Sequence, residues 1–177
     1  MVRSTFVRRF ATVALAAALT ACSEPTTAPT FDASPPSLNE TQTTSGLLEC
    51  RRTLFDFTWG LLGPLGGVIS LNGHSISVPP LALDRLAFIT VRTPSTRFVE
   101  IEARVNGQDH FDFGQPVTVT LDYSRCQPWQ IGPEPLTVWQ IDPDTKAFIR
   151  DMGGVDDRAN RKISFTTDHF SGYAVAQ

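Results

Sequence analysis

Three consecutive residues near the C-terminal end, His169-Phe170-Ser171, are of the types needed for self-cleavage. The Ser171 hydroxyl would attack the carbonyl carbon of Phe170 while His169 accepts the hydroxyl proton as a general base. An ester would then replace the peptide bond, and water would hydrolyse it. The alternative interpretation is structural: Phe170 packs in the core, Ser171 begins a bend, and His169 is exposed.

A second group with possible chemistry is acidic. Asp151, Asp156 and Asp157 surround the pair Gly153-Gly154 in a predicted loop. Carboxylate oxygens on a flexible loop suit Ca²⁺, although this spacing differs from that of known calcium loops. The simpler interpretation is a solvated hairpin tip. We therefore predict no metal or other cofactor, and we keep Ca²⁺ binding as an alternative.

Three tryptophans, Trp59, Trp129 and Trp139, are the residues best suited to stacking against a sugar or a peptide. Trp139 lies in an alternating segment, so packing against the fold is its default role. Trp129 lies in a predicted loop and is the best exposed candidate for a ligand-binding residue. The sequence contains no Gly-rich phosphate loop and no pairing of a general acid with a general base.

The elements that must position these residues are strands. From residue 47 to the end, apolar and polar residues alternate, as is typical of strands with one buried face. The predicted strands cover Val68–Leu71, Ser75–Val78, Leu86–Arg92, Val99–Val105, Val117–Leu121, Leu136–Ile141, Ala147–Arg150, Arg161–Thr167 and Gly172–Ala176. Asn72-Gly73 and Asp142-Pro143-Asp144 favour turns, and Leu81–Ala87 favours a short helical turn. Nine or ten short strands predict an all-β fold, an antiparallel β-sandwich formed by residues 47–177.

Two cysteines of this domain, Cys50 and Cys126, are predicted to form a disulfide, because an even pair is typical of exported proteins. The bond would close a long loop, for which chain entropy gives roughly 4–5 kcal/mol of stabilisation. The alternative is two buried free thiols.

The N-terminal residues have the layout of a secretory signal. Three arginines precede a short apolar segment, Phe10–Leu19, that is too short to span a membrane. The following Leu19-Thr20-Ala21-Cys22 resembles the lipobox of bacterial lipoproteins. The resemblance implies that residues 1–21 are a signal peptide and that Cys22 is lipidated and becomes the first mature residue. Ser23, in place of Asp, favours the outer membrane. An ordinary secretory signal is the alternative.

Residues 22–46 are predicted to form a disordered tether. Fourteen of residues 23–46 are Ser, Thr or Pro, so this segment buries too little apolar surface to fold. Extended as polyproline II, it reaches roughly 70 Å. Loss of residues 1–21 removes three arginines and no acid, so the net charge falls from −3 to −6. An acidic chain is not expected to bind nucleic acid, and an anionic bilayer would hold it only through its acyl chains.

Part of the domain resembles a known family. Gly66–Gly73 and Ser77–Leu83 resemble the opening of the ZU-five domain, the β-sandwich module of ankyrins, netrin receptors and zonula-occludens proteins. Phe113–Val119 is similar to the family strand that is entered through a proline, and His169–Val175 to the closing segment. Leu81 stands where the family usually has Gly. The resemblance implies an interaction module rather than a metabolic enzyme, although some relatives cleave themselves at a His-Phe-Ser triplet.

These observations together predict a membrane-anchored lipoprotein of the bacterial cell envelope with a non-catalytic interaction domain. Its expected partners are the lipid bilayer, through acylated Cys22, and an unidentified envelope protein. The alternatives are a domain that cleaves itself using His169 and Ser171, and a lipoprotein that binds a glycan or Ca²⁺.

Overall fold

The computed structural model describes residues 46–94 and 96–177. These residues form an all-β fold in which two antiparallel sheets pack face to face, so the predicted β-sandwich is confirmed. The predicted signal peptide, Cys22 and the tether as far as residue 45 lie outside the described residues. No helix within the described ranges is both long and apolar enough to span a bilayer.

The larger sheet has six strands, and every neighbouring pair is antiparallel. In their order across the sheet they are β1 (Asp56–Leu62), β4 (Ala87–Thr93), β5 (Glu100–Val105), β11 (Gly172–Ala176), β7 (Thr137–Ile141) and β8 (Phe148–Gly153). Strands β1 and β8 are therefore the two edges of this sheet.

The smaller sheet has five strands, also antiparallel. Their order is β2 (Gly67–Leu71), β3 (His74–Val78), β6 (Asp112–Asp122), β10 (Lys162–His169) and β9 (Val155–Asp157). A 3₁₀ turn, Pro128–Gln130, lies between β6 and β7. The chain changes sheet between β10 and β11, so His169-Phe170-Ser171 forms part of a crossover between the two layers.

The core lies between the sheets and follows from the period-two pattern, since alternate side chains point inward. Ile89 and Val91 of β4 face this core, as do Val117 and Val119 of β6, and all four are at most 1% exposed. A smaller apolar cluster lies around Ile141, Ala174 and Ala176, packed by Trp139 and Phe148. The segment before β1 covers this second cluster through a bridge between Leu47 and Ala176.

Glu100 follows the buried Val99 and precedes the buried Ile101, so alternation predicts that it faces solvent, yet its side chain is buried. Lys146, on the connection between β7 and β8, contacts the Glu100 carboxylate at 2.6 Å. The Thr96 hydroxyl donates to the same carboxylate at 2.6 Å. The outer face of the larger sheet is thus partly covered by connections, which supply the partners that a buried carboxylate requires.

The two predicted tight turns are present, whereas the predicted helical turn is not. Asn72 and Gly73 both have positive φ, 52° and 84°, as a tight hairpin turn between β2 and β3 requires. Asp142 Oδ1 accepts from the Thr145 N–H at 2.8 Å and closes the turn between β7 and β8. The helical turn predicted at Leu81–Ala87 is wrong. Leu81 has φ 67°, which leaves the helical region directly after Pro79-Pro80.

The predicted disulfide is confirmed: Cys50 is bonded to Cys126, with a Cα–Cα distance of 4.7 Å. Both cysteines are buried. Arg125, next to Cys126, donates to the backbone carbonyls of Arg51 and Phe98. The bond and this guanidinium together fasten the segment before β1 to the connection after β6.

Candidate functional site

The His-Phe-Ser crossover is held by hydrogen bonds rather than left open. His169 was expected to be exposed in the structural interpretation, but it is buried, because its ring packs beside Tyr173 and His110. Its Nδ1 lies 2.8 Å from Asp168 Oδ1. That hydrogen bond lowers the pKa of Asp168. The ring of His169 therefore points to its preceding neighbour, not to the serine.

Phe170 and Ser171 have separate partners. Phe170 is fully buried and meets Phe113 edge to face at a ring distance of 4.6 Å, as the structural interpretation predicted. Ser171 Oγ accepts from Gln140 Nε2 at 3.2 Å. Among the described residues no hydrogen bond joins His169 to Ser171, so the two candidate residues make no base-to-nucleophile contact.

Tyr173 closes the crossover from the following strand. Its hydroxyl donates to the His169 carbonyl oxygen at 2.6 Å and lies 3.0 Å from Thr167 Oγ1. Burial raises the pKa of Tyr173 to about 12, so the phenol stays protonated and able to donate. This arrangement corresponds to the tyrosine corner of β-sandwiches, in which a Tyr hydroxyl bonds to backbone a few residues upstream.

We predict that Tyr173→Phe lowers the free energy of unfolding by about 0.5–1.5 kcal/mol, because the buried His169 carbonyl loses one of its two donors and keeps only the Thr167 hydroxyl at 3.0 Å, while the ring still packs on Phe165. Urea unfolding measures the loss. Thr166→Val, on the exposed side of β10, serves as the matched control and should change stability by less than about 0.5 kcal/mol. Equal stability of Tyr173→Phe and wild type would rule out this role for the hydroxyl.

Ser171 lines a cavity of about 450 Å³ on the outer face of the larger sheet. Two ion pairs lie in its wall, where Arg92 contacts Glu102 at 2.9 Å and Arg104 contacts Asp109, and Asp144 lines the same cavity. Phe55 and Pro143 form apolar parts of the wall. Within the described residues none of these carboxylates is hydrogen-bonded to Ser171, whose hydroxyl accepts from Gln140.

The acidic residues do not converge. Asp156 accepts from the Tyr123 hydroxyl at 2.5 Å and from Arg158 at 3.1 Å. Asp151 accepts from the Thr137 hydroxyl, and Asp157 accepts from Asn160. Within the described ranges no group of three or more His, Cys, Asp or Glu side chains is arranged to hold a metal ion. The structure thus gives these three carboxylates partners within the chain.

The tryptophans also lie apart. Trp129 is 81% exposed in the 3₁₀ turn, and within the described residues its ring contacts neither of the others. Trp139 packs edge to face on Phe148 at 4.9 Å. Trp59 stacks on Phe88 at 5.2 Å. The three do not form one stacking platform, and Trp129 is a single exposed ring.

The most distinctive surface lies on the edge strand β1, which sequence reasoning missed as a strand. Phe57, Trp59 and Leu61 of β1, together with Phe88 of β4, form an exposed apolar surface that we term the β1 face. Their exposed fractions are 56%, 61%, 58% and 41%, respectively. The alternation Phe57, Trp59, Leu61 in the sequence was the available signal, but here the apolar residues point outward. Because apolar side chains are usually assigned to the core, this pattern did not predict an exposed edge strand.

The backbone of β1 is open as well. Phe88 donates its N–H to Asn106 Oδ1 at 2.9 Å, and its carbonyl accepts from the Asn106 N–H at 2.7 Å. Both groups therefore point away from β1. Leu61 is the cross-strand neighbour of Phe88, so its own N–H and carbonyl point toward the free edge. The same orientation holds for Trp59 and Phe57, because backbone groups alternate sides along a strand.

Asp56 accepts a hydrogen bond from only one of the outward backbone groups of β1. Its Oδ1 accepts from the Phe57 N–H at 2.8 Å. In the part of the chain that the structure describes, no hydrogen bond takes the outward N–H or carbonyl of Trp59 or Leu61. Gly60 lies between them against Ile69 of β2, where an added Cβ would be 3.0 Å from the isoleucine. The edge thus combines apolar side chains with unpaired backbone groups.

In comparisons with known proteins, the chain matches no protein-family model, and no curated protein matches its sequence.

Proposed function

We propose that the protein is a lipid-anchored lipoprotein of the bacterial envelope whose β-sandwich is a non-catalytic interaction module. The observation that carries the proposal is the β1 face, an apolar surface on an open sheet edge. Contiguous exposed apolar side chains of this size mark contact sites in soluble domains. Edge strands that keep their backbone groups unpaired accept a further strand readily.

The anchoring half of the proposal rests on the sequence before residue 46 and on the disulfide. Leu19-Thr20-Ala21-Cys22 supplies the lipidation signal. The Cys50–Cys126 bond suits an oxidising compartment outside the cytoplasm. The tether then holds the domain within roughly 70 Å of the bilayer, with Ser23 favouring the outer membrane.

The non-catalytic half rests on the crossover geometry. His169 bonds to Asp168, Ser171 accepts from Gln140, and Tyr173 holds the His169 carbonyl. These contacts favour a structural crossover over self-cleavage. Kinship with the ZU-five module is part of the proposal, since the resemblance in Gly66–Leu83 falls on strands β2 and β3 of a β-sandwich. An interaction role agrees with that kinship.

Intact mass of the protein purified from bacterial membranes tests both halves. We expect one species that runs from Cys22 to Gln177 and carries the mass of a diacylglyceryl group. A mature chain that begins elsewhere, or an unmodified Cys22, would contradict the anchoring half. Fragments ending at Phe170 would contradict the non-catalytic half. Cys22→Ser is the matched control and should lose the acyl mass.

A further inference from the structure

We infer that the β1 face binds a second copy of this chain, by antiparallel pairing of β1 with β1 across a two-fold axis. The inference rests on the proposed function, since it names the occupant of the same surface. The β1 face requires a partner that supplies both apolar side chains and backbone hydrogen-bonding groups. A β-strand supplies both, whereas the hydrocarbon of a bilayer offers no partner for the outward N–H and carbonyl of Trp59 and Leu61, which is strongly unfavourable.

The unpaired groups define the register. If Gly60 lies on the two-fold axis, Trp59 of one copy faces Leu61 of the other. The N–H and carbonyl of each then pair across the axis, which gives four hydrogen bonds in total. This register leaves the Phe57 N–H on Asp56, where the structure has it. A register centred on Trp59 would require that N–H to break its existing bond.

The charges of β1 agree with self-pairing. Asp56 is the only charged residue of the strand, and it lies at one end. In an antiparallel pair the two Asp56 carboxylates lie at opposite ends of the ladder, so like charges do not meet. Gly60 meets Gly60 at the axis, and Trp59 packs opposite Leu61 on the outer face.

Two of the three other edge strands carry features that oppose such pairing, and the third, β2, is uncharged but has five residues and exposes one large apolar side chain, Val68. Strand β8 bears Arg150 and Asp151, and its register with β7 shifts at two places. Strand β9 has three residues, two of them aspartates. Strand β1 has no Lys, no Pro and seven consecutive pairs with β4 without a shift. Charges, short length and irregularity are the usual protections of an edge, and β1 lacks them.

The size of the β1 face sets the expected strength. A large aromatic side chain presents about 150–250 Å². At the exposed fractions given above, the β1 face offers roughly 400–500 Å² per copy, and pairing in the plane of the sheet covers only part of it, well below the 800 Å² or so that each partner contributes to a standard stable interface. We therefore expect a weak dimer in solution. Anchoring of both copies in one bilayer strengthens it by raising their effective concentration.

Sedimentation equilibrium of the full mature chain carrying Cys22→Ser tests the inference in solution. We expect a reversible monomer–dimer equilibrium. Trp59→Lys places a charge on the edge, and Leu61→Pro removes an outward N–H without touching the β4 ladder. Each should raise the dissociation constant at least about tenfold. Ile149→Lys, an equally exposed apolar position on the opposite edge strand β8, is the matched control and should leave it unchanged. Unaltered melting temperatures would exclude unfolding as the cause.

The lipidated protein in phosphatidylcholine vesicles provides the second arm, with chemical cross-linking as the readout. A cross-linked dimer that Trp59→Lys abolishes supports the inference. A protein that stays monomeric in both arms overturns it. If the monomer instead inserts Trp59 into the vesicles, seen as a blue shift of its fluorescence, the occupant is the bilayer and the inference is wrong. If the wild type never self-associates but binds a different envelope protein, and β1 variants lose that binding, the proposed function stands and the inference of self-pairing is wrong.

Discussion

Replacing both Cys50 and Cys126 by alanine should lower the free energy of unfolding by roughly 4–5 kcal/mol. The bond joins residues separated by 76 positions, so its loss opens a long loop and raises the conformational entropy of the unfolded chain. Both positions are buried, which adds the cost of two small cavities. Domains of this size have a total stability of about 5–15 kcal/mol, so the variant is expected to be close to unfolding. Urea unfolding monitored by circular dichroism measures the change.

Wild type reduced under denaturing conditions and refolded in reductant is the matched comparison. It should show nearly the same loss without any substitution. Arg125 still donates to the Arg51 and Phe98 carbonyls after the bond is removed, so the fold itself should persist in the absence of urea. A loss below about 1 kcal/mol in both proteins would show that the bond does not constrain the unfolded chain as argued.

Acidification should destabilise the protein through His74. Burial lowers the pKa of His74 to about 4, while Asp122 opposes that shift and Arg125 adds to it. The unfolded chain titrates near pH 6.5, so between pH 6.5 and pH 4 the unfolded state binds more protons than the folded state. The contribution of His74 is therefore complete above pH 6.5 and is lost as the pH falls toward 4. Its size is about 3 kcal/mol.

A variant comparison isolates this histidine from the carboxylates that titrate in the same range. His74 Nδ1 accepts from the Asp122 N–H at 3.0 Å, and His74→Asn retains an acceptor there. The variant should lose about 3 kcal/mol less stability than wild type between pH 7 and pH 4. His110→Asn, at an exposed histidine, should behave as wild type. Parallel pH profiles for wild type and His74→Asn would refute the assignment.

The sequence predicts most of the sandwich because its strands obey one simple rule. In β4, β5, β10 and β11 the inward residues are mostly apolar, and the alternation locates each strand to within a residue or two, whereas β6 begins at Asp112, five residues before the predicted start at Val117. The Asn72-Gly73 dipeptide predicts its turn from local sequence alone, and the even pair Cys50 and Cys126 predicts the disulfide. Strand order and register depend on contacts between distant segments, which no local pattern contains.

The misses have physical reasons. Strand β1 breaks the rule, since it points Phe57, Trp59 and Leu61 outward and packs Gly60 against β2. The structural interpretation predicts an exposed His169, but the side chain is buried because its ring packs beside Tyr173 and His110. Leu81 adopts positive φ because the chain must turn after Pro79-Pro80, which overrides its helical preference. The candidate site was therefore missed where sequence alone cannot tell which face of a strand is covered.

Amide hydrogen exchange on the protein in isolated bacterial envelope membranes tests the central proposal, that the open edge of β1 is the contact surface. The account predicts that the amides of Trp59 and Leu61 exchange slowly in the membrane and rapidly in dilute Cys22→Ser protein, because a strand pairs with them only when copies are concentrated together. Rapid exchange of both amides in the membrane would contradict it.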